Sequence, residues 1–473
     1  QHAIGYFARA ASLALEADDL DLLHSCIRRA YACMPDGQCE PALRGELLAI
    51  EAIAQYRSGD LDACIRLGME ALELLPAGGS RWSRIMYSLL SGSMMMGRRA
   101  VFGELAQRFM ATDPLPGAQS LYFETSGVLL TNLSLFGQRE VAEKLVARLR
   151  DIAADIIDRQ AGVRAWLSFG QNRLTDLVVG DPWASWRHAE DALDAVVQTG
   201  NPRWISIMGL ECALAEKALG SPRFQSGLRN AIDVLRSIKV EVSPGYTSVG
   251  AAVALAEQKE HAAEAMELAQ SALARNTGNA YFAGMAHLAM AKVNAIAGEP
   301  LAAEAAARQA LAQFVTMPPM QPIVAAVLCR ALLAQGRAAD AQLAAEVALA
   351  QLSALGEVAH EDLSLRLAAI DAFDATGDGE RANAQLATAL EVLRARAAAF
   401  GHLDLIPAHA EDDVAHRLLF ISANRVISQI KERTAIQGDG SSILDPVSIG
   451  GFWELPGSQR AVVVNHQLSA LTK

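Results

Sequence analysis

Three short runs in this 473-residue chain hold residue types that can do chemistry. Asp374-Ala375-Thr376-Gly377-Asp378-Gly379 imitates the alternating oxygen ligands of a calcium loop. Such a loop needs a bidentate Glu at its twelfth position, where Gln385 stands, and a plain helix-to-helix turn accounts for the same residues. Glu411-Asp412-Asp413, flanked by His409 and His416, suits a metal cluster or a terpene-cyclase-like acidic motif, but adjacent acids also suit the positive end of a helix. His360-Glu361-Asp362 is one histidine beside two acids and reads as a helix cap. Cys26, Cys33 and Cys39 lie close together at spacings that match no common zinc pattern, and with Cys64, Cys212 and Cys329 they read as thiols in a reducing cytoplasm. No GxxxxGK[ST], GxGxxG, GxSxG or HExxH run is present. The sequence therefore nominates no catalytic residue, no metal ligand and no cofactor.

The elements that would carry a site follow from a period. Gly298, Gly336 and Gly377 each precede a small Ala by five residues (Ala303, Ala341, Ala382) and an Ala-Leu pair by seven more. Gly59 heads the same frame with Cys64, Ala71-Leu72 and Pro76, and Asp18 heads it with Ala30 and Pro35. Weaker copies start at Gly97, Gly137, Gly180, Gly220 and Glu260, so the marks fall 38 to 43 residues apart along the chain. Gly supplies the left-handed conformation that ends a first helix, the acid after it caps the second, and Ala lets the two helices approach closely. Pro is expected to stop each second helix. Phe102, Ser185 and Gln225 break the small-residue rule, which makes the local geometry of those repeats irregular.

These residues resemble the pattern of tetratricopeptide repeats. The longer period is similar to the extended repeats in the sensor regions of bacterial signalling ATPases, such as the activator of maltose genes. The texture also resembles the C-terminal arrays of bacterial serine/threonine kinases that carry an ATPase module. The resemblance implies an all-α, right-handed α-solenoid of about ten helical hairpins over residues 1–400, with first helices lining a concave face where partners lie. Counted back from the turn marks, that face would present Arg84, Tyr87, Glu124, Gln171, Glu211, Lys217, Lys292 and Arg330, with Asp371 and Asp374 further along. Trp82, Trp166 and Trp204 stand near the starts of first helices, as ligand anchors or as fillers between irregular repeats.

Composition supports the helical reading and narrows the partners. Hydrophobic residues make up 52% and aromatics 5%, so the apolar content is mostly Ala and Leu. A net charge of −12 without a basic stripe argues against nucleic acid and against an anionic membrane surface. No apolar run reaches the roughly 18 residues that span a bilayer. Residues 401–433 are expected to cap the array with a helix, 434–473 to form a loop-rich tail, and Ala461–Leu471 to lean towards helix. The chain opens on Gln1 in residues that already read as helix, which suggests a longer polypeptide. The function expected is a cytoplasmic regulatory scaffold that binds a protein or peptide and relays its state to an attached ATPase or kinase. A free-standing adaptor is the alternative, and an α/α-toroid enzyme a remote one, since period 40 suits an open coil.

Overall fold

The computed structural model describes residues 2–17, 19–34, 40–218, 223–237, 244–275, 279–356 and 362–401. Among these, twenty α-helices pair into ten antiparallel hairpins. They are α1 (His2–Glu16) with α2 (Leu20–Ala32), α3 (Pro41–Ser58) with α4 (Leu61–Leu74), α5 (Ser80–Met95) with α6 (Arg99–Met110), and α7 (Gln119–Leu135) with α8 (Arg139–Ala153). Next come α9 (Ala161–Leu174) with α10 (Pro182–Val197), α11 (Pro202–Ala218) with α12 (Phe224–Ser237), and α13 (Pro244–Leu255) with α14 (Ala262–Arg275). The array closes with α15 (Ala280–Ile296) and α16 (Pro300–Gln313), α17 (Gln321–Ala334) and α18 (Ala338–Ala354), and α19 (Asp362–Thr376) and α20 (Gly379–Gly401). The expected capping helix, the tail, the turn marks at Asp18 and Gly220, Cys39, His360-Glu361 and the Glu411-Asp412-Asp413 run all lie outside the described residues.

Local chemistry explains the hairpins. Gly59, Gly97, Gly137, Gly180, Gly298, Gly336 and Gly377 all have positive φ between the two helices of a hairpin. The Asp60, Asp181 and Asp19 carboxylates accept from backbone N–H groups at the start of the following helix. At Glu260 a 3₁₀ turn, Lys259–His261, replaces the glycine. Asp374–Gly379 covers the end of α19, the Gly377-Asp378 turn and the start of α20, and Asp378 accepts from the Arg381 N–H at 3.3 Å. Pro76 follows the end of α4 as expected, and prolines also start helices: Pro41, Pro182 and Pro300 occupy first turns, where the missing N–H costs nothing. At four junctions, Gly78, Gly117, Gly200 and Gly356 take the left-handed conformation as the chain passes to the next hairpin.

Small residues fill the hairpin seams. Ala303, Ala341, Ala382, Ala142 and Cys64 are buried, as are Ala310, Ala348, Ala389, Ala71 and Ala30 one helical stretch later. Cys329 points its thiol at the Ala341 carbonyl of its own second helix. Phe102 and Ser185 are also buried, but Gln225 is exposed and Phe224 takes the inner place. Where the sequence pattern weakens before Gly180, α9 runs into a π-helical turn, Thr175–Val179.

First helices touch successive first helices (α3 with α5, α5 with α7, α7 with α9) and form the inner layer of a solenoid. The coil is wound more tightly than the open form the sequence suggests. Arg99 of the third hairpin donates to the Thr316 carbonyl at 2.9 Å, 217 residues away. The α7–α8 turn and the π-helical turn pack on a 3₁₀ turn, Pro318–Met320, between the eighth and ninth hairpins. Small rotations between hairpins, summed over five of them, bring distant edges together.

Candidate functional site on the inner wall

The inner layer gathers two groups of polar and aromatic side chains. The first spans α3, α5, α7, α9 and α11. Tyr56 and Tyr87 meet edge to face with ring centroids 6.3 Å apart, Tyr87 meets Trp204 at 6.5 Å, and Trp204 meets Trp166 at 4.7 Å. The Arg203 guanidinium lies 4.4 Å from the Trp204 ring, and its charge acts on the Tyr87 hydroxyl against the effect of burial. Arg203 and Trp204 thus reach across from the sixth hairpin to the second and third.

Glu124 sits between Arg84 and Arg203 and is tied to them by charge, with no direct salt bridge among the described residues. Burial pushes its carboxyl above the ordinary range, against the pull of the two arginines. Burial likewise raises the Tyr56 and Tyr87 hydroxyls, so both remain neutral donors near neutral pH. Arg84, Tyr87, Glu124, Arg203 and Trp204 are all half-buried on this wall.

The second group is a chain of bonds through four successive first helices. Arg173 on α9 pairs with Glu211 on α11 at 2.5 Å, and both side chains are 5% exposed. The Tyr246 hydroxyl on α13 donates to the other Glu211 oxygen at 2.6 Å, and its ring stacks on Tyr281 of α15 at 6.0 Å. Burial drives the Tyr281 hydroxyl up to about 12. Below this ladder Glu257 receives Lys217 and Lys292, each at 2.7 Å. Burial opposes the Glu257 charge, but the two ammonium groups outweigh it and hold its carboxyl well below the usual range.

That depression makes the triad a source of acid sensitivity. A carboxyl lowered in the folded state stabilises it fully above its unfolded value, and the gain is lost as pH falls below that value towards the folded one. Glu257→Gln is therefore expected to flatten the acid limb of the stability profile below about pH 4.3, where an ordinary Glu titrates. Urea midpoints recorded from neutral pH downwards check this.

The residues named from the turn count are not equivalent. Arg84, Tyr87 and Glu124 come together around Arg203. Glu211, Lys217 and Lys292 are held in internal pairs. Gln171, 7% exposed and with its amide oxygen turned to Arg150, accepts from the Arg150 Nε at 3.0 Å. Arg330 is exposed at the far end and donates to the Ser364 carbonyl at 3.4 Å, with Asp371 and exposed Asp374 beyond it. Trp82 belongs to the core, fully buried and stacked on Phe109, whereas Trp166 and Trp204 face each other at the wall.

Reading the turn marks missed Tyr56, Arg173, Arg203, Tyr246, Tyr281 and Glu257. A second spacing marks several of them. Pairs 35 residues apart recur between hairpins: Arg81 with Glu46, Arg108 with Glu73, Arg148 with Asp113, Arg229 with Glu264, Lys292 with Glu257, and Tyr246 with Glu211. Thirty-five is the repeat length less about one helical turn. A side chain at that offset spans the step to the next hairpin.

The stacked hairpins make this chain a tetratricopeptide-like repeat array. No family model matches it, and no curated protein matches it. It is similar to the apo form of the quorum sensor NprR from B. thuringiensis, at 11% identity over 73% of this chain and 97% of that one, TM-score 0.44. It is also similar to a human IFIT1 dimer with m7Gppp-AAAA, at 12% identity over 83% and 90%, TM-score 0.44. A signal transduction ATPase with a tetratricopeptide repeat sensor from Pyrococcus horikoshii shares 11% identity over 82% of this chain, TM-score 0.36, and this chain spans 52% of its length. No helix among the described residues is long and apolar enough to cross a membrane.

Proposed function

We propose that this chain is a non-catalytic regulatory scaffold that holds a peptide or an extended protein segment against the inner wall of its coil. It acts as the sensor part of a larger bacterial signalling protein in the cytoplasm and relays the bound state to an attached ATPase or kinase module. One observation carries the reading: Glu124 and two arginines share a half-buried wall with Tyr87 and Trp204 without a direct salt bridge to Glu124. Burying charge without a close partner is costly, and a ligand's polar groups would repay it. Aromatic rings and arginines are the side chains that anchor peptides most strongly. Glu211, Lys217, Lys292 and Gln171 then serve as positioning residues, fixing successive first helices so that the wall keeps its shape.

Peptides selected by display on the purified chain provide the test, with affinities measured by calorimetry. Arg84→Ala and Glu124→Gln are each expected to weaken the selected peptide by about tenfold or more, equivalent to about 1.4 kcal/mol. Arg44→Ala, in an exposed pair with Glu70 apart from this group of residues, should leave affinity unchanged. Glu124→Gln should also raise the melting temperature. A carboxyl held above its ordinary range opposes folding once pH rises through that range, so removing the charge relieves a cost at neutral pH. Equal affinity across all four proteins would reject the wall as the binding surface.

A further inference from the structure

The contact that closes the coil has the construction of a latch. One half comes from the third and fourth hairpins, where exposed Arg99 lies at the start of α6 and its guanidinium sits 5.6 Å from the Phe136 ring. The other half is the junction between α16 and α17, where Arg99 reaches the Thr316 carbonyl and where Pro319 and Met320 are buried. Gly137 closes the seam: a Cβ built there would stand 3.3 Å from Leu355 Cδ2 and 3.7 Å from Pro319 Cγ. The π-helical turn Thr175–Val179 rests on the same junction.

We infer that this edge contact is a releasable latch that sets the pitch of the coil and thereby controls entry to the Arg84–Tyr87–Glu124 wall. The inference rests on the peptide-binding reading of that wall. Two features argue for release. The seam joins hairpins that are far apart in sequence through the Arg99 hydrogen bond and a short apolar strip, whereas neighbouring hairpins share continuous seams. A solenoid in which each repeat contacts its neighbours flexes by small rotations at every step, so a contact across a full turn is the first to part. The connection to the wall is geometric. The winding that brings Arg99 to Thr316 also brings Arg203 and Trp204 across the lumen onto Tyr87 and Tyr56. Unwinding draws Arg203 and Trp204 back and bares Tyr87, Arg84 and Glu124 together. A ligand that binds the bared wall holds the latch open, and the change of pitch is the signal.

The test needs no ligand. The full chain carrying Arg99→Ala with Leu355→Asp is compared with wild type by small-angle X-ray scattering. Both are also made with Arg84→Cys in a Cys33→Ser, Cys39→Ser background, and a maleimide reports access to the wall. Release predicts a larger radius of gyration and at least fivefold faster labelling at wild-type helicity by circular dichroism. Arg99→Ala alone should move both readouts in the same direction by less, and carries the test if the double variant loses helicity. An unchanged radius with unchanged labelling overturns the latch, and so does a larger radius without faster labelling. The wall reading stands or falls separately, on the peptide affinity of Arg84→Ala.

Discussion

Replacing Glu211 with Ala is expected to lower the stability of the array by about 3–5 kcal/mol, the usual cost of orphaning one member of a buried ion pair. Arg173 is the reason. Its side chain is 5% exposed, its strongest partner is Glu211 at 2.5 Å, and Asp176 at 3.3 Å is a weaker substitute. The Tyr246 hydroxyl loses its acceptor in the same step. Arg173→Met with Glu211→Leu should recover most of the loss, because two apolar side chains remove the charges together and leave Tyr246 as the remaining debit. Urea unfolding of Glu211→Ala and of the double variant checks this. A Glu211→Ala protein as stable as wild type would show that α9, α11 and α13 are held by apolar packing alone.

Gly78→Ala should be almost as damaging, for a different reason. Gly78 has φ 75° and joins the second hairpin to the third, and a Cβ there would lie 2.0 Å from the Asp113 carbonyl oxygen. The Leu115 N–H donates to the Gly78 carbonyl at 2.9 Å, so the two backbones are bound at the point of closest approach. Left-handed strain of about 1–2 kcal/mol adds to an overpacking cost of about 1–3 kcal/mol, for a total of about 2–5 kcal/mol. Gly336 is the control. Its φ is 73°, but nothing lies within 4 Å of an added Cβ, so Gly336→Ala should cost only the strain of about 1–2 kcal/mol. Melting temperatures of the two variants measure the difference directly. Equal losses would mean that the Gly78 joint can shift away from Asp113.

The contrast between these glycines shows what the sequence discloses. Gly336 belongs to a local signal, with turn, cap and small residue all within a dozen positions, and the ten hairpins follow from repeating that signal. Gly78 answers to Asp113 in the next junction, between α6 and α7, and no local pattern marks it. The wall divides in the same way. Arg84, Tyr87 and Glu124 follow from counting back along first helices. Arg203 and Tyr56 do not, because Arg203 meets Tyr87 only after the chain has wound through three further hairpins. The latch at Arg99 and Thr316 depends on the summed rotation of all the steps between them, including an irregular one at Thr175–Val179 whose weak repeat pattern gave no angle. The exposed Gln225 shows the limit of the period itself: there the inner position slips by one residue to Phe224.

The inner wall as the place where a peptide lies is the central claim, and site-specific photocrosslinking tests it most directly. A benzophenone side chain in place of Tyr87 would sit in the lumen. The same group in place of Leu343, which is 61% exposed on α18, would sit on the outer surface. With a display-selected peptide bound and the sample irradiated, a covalent adduct is expected from the Tyr87 position and not from the Leu343 position. An adduct from Leu343 alone would place the ligand on the outer helices and contradict the account.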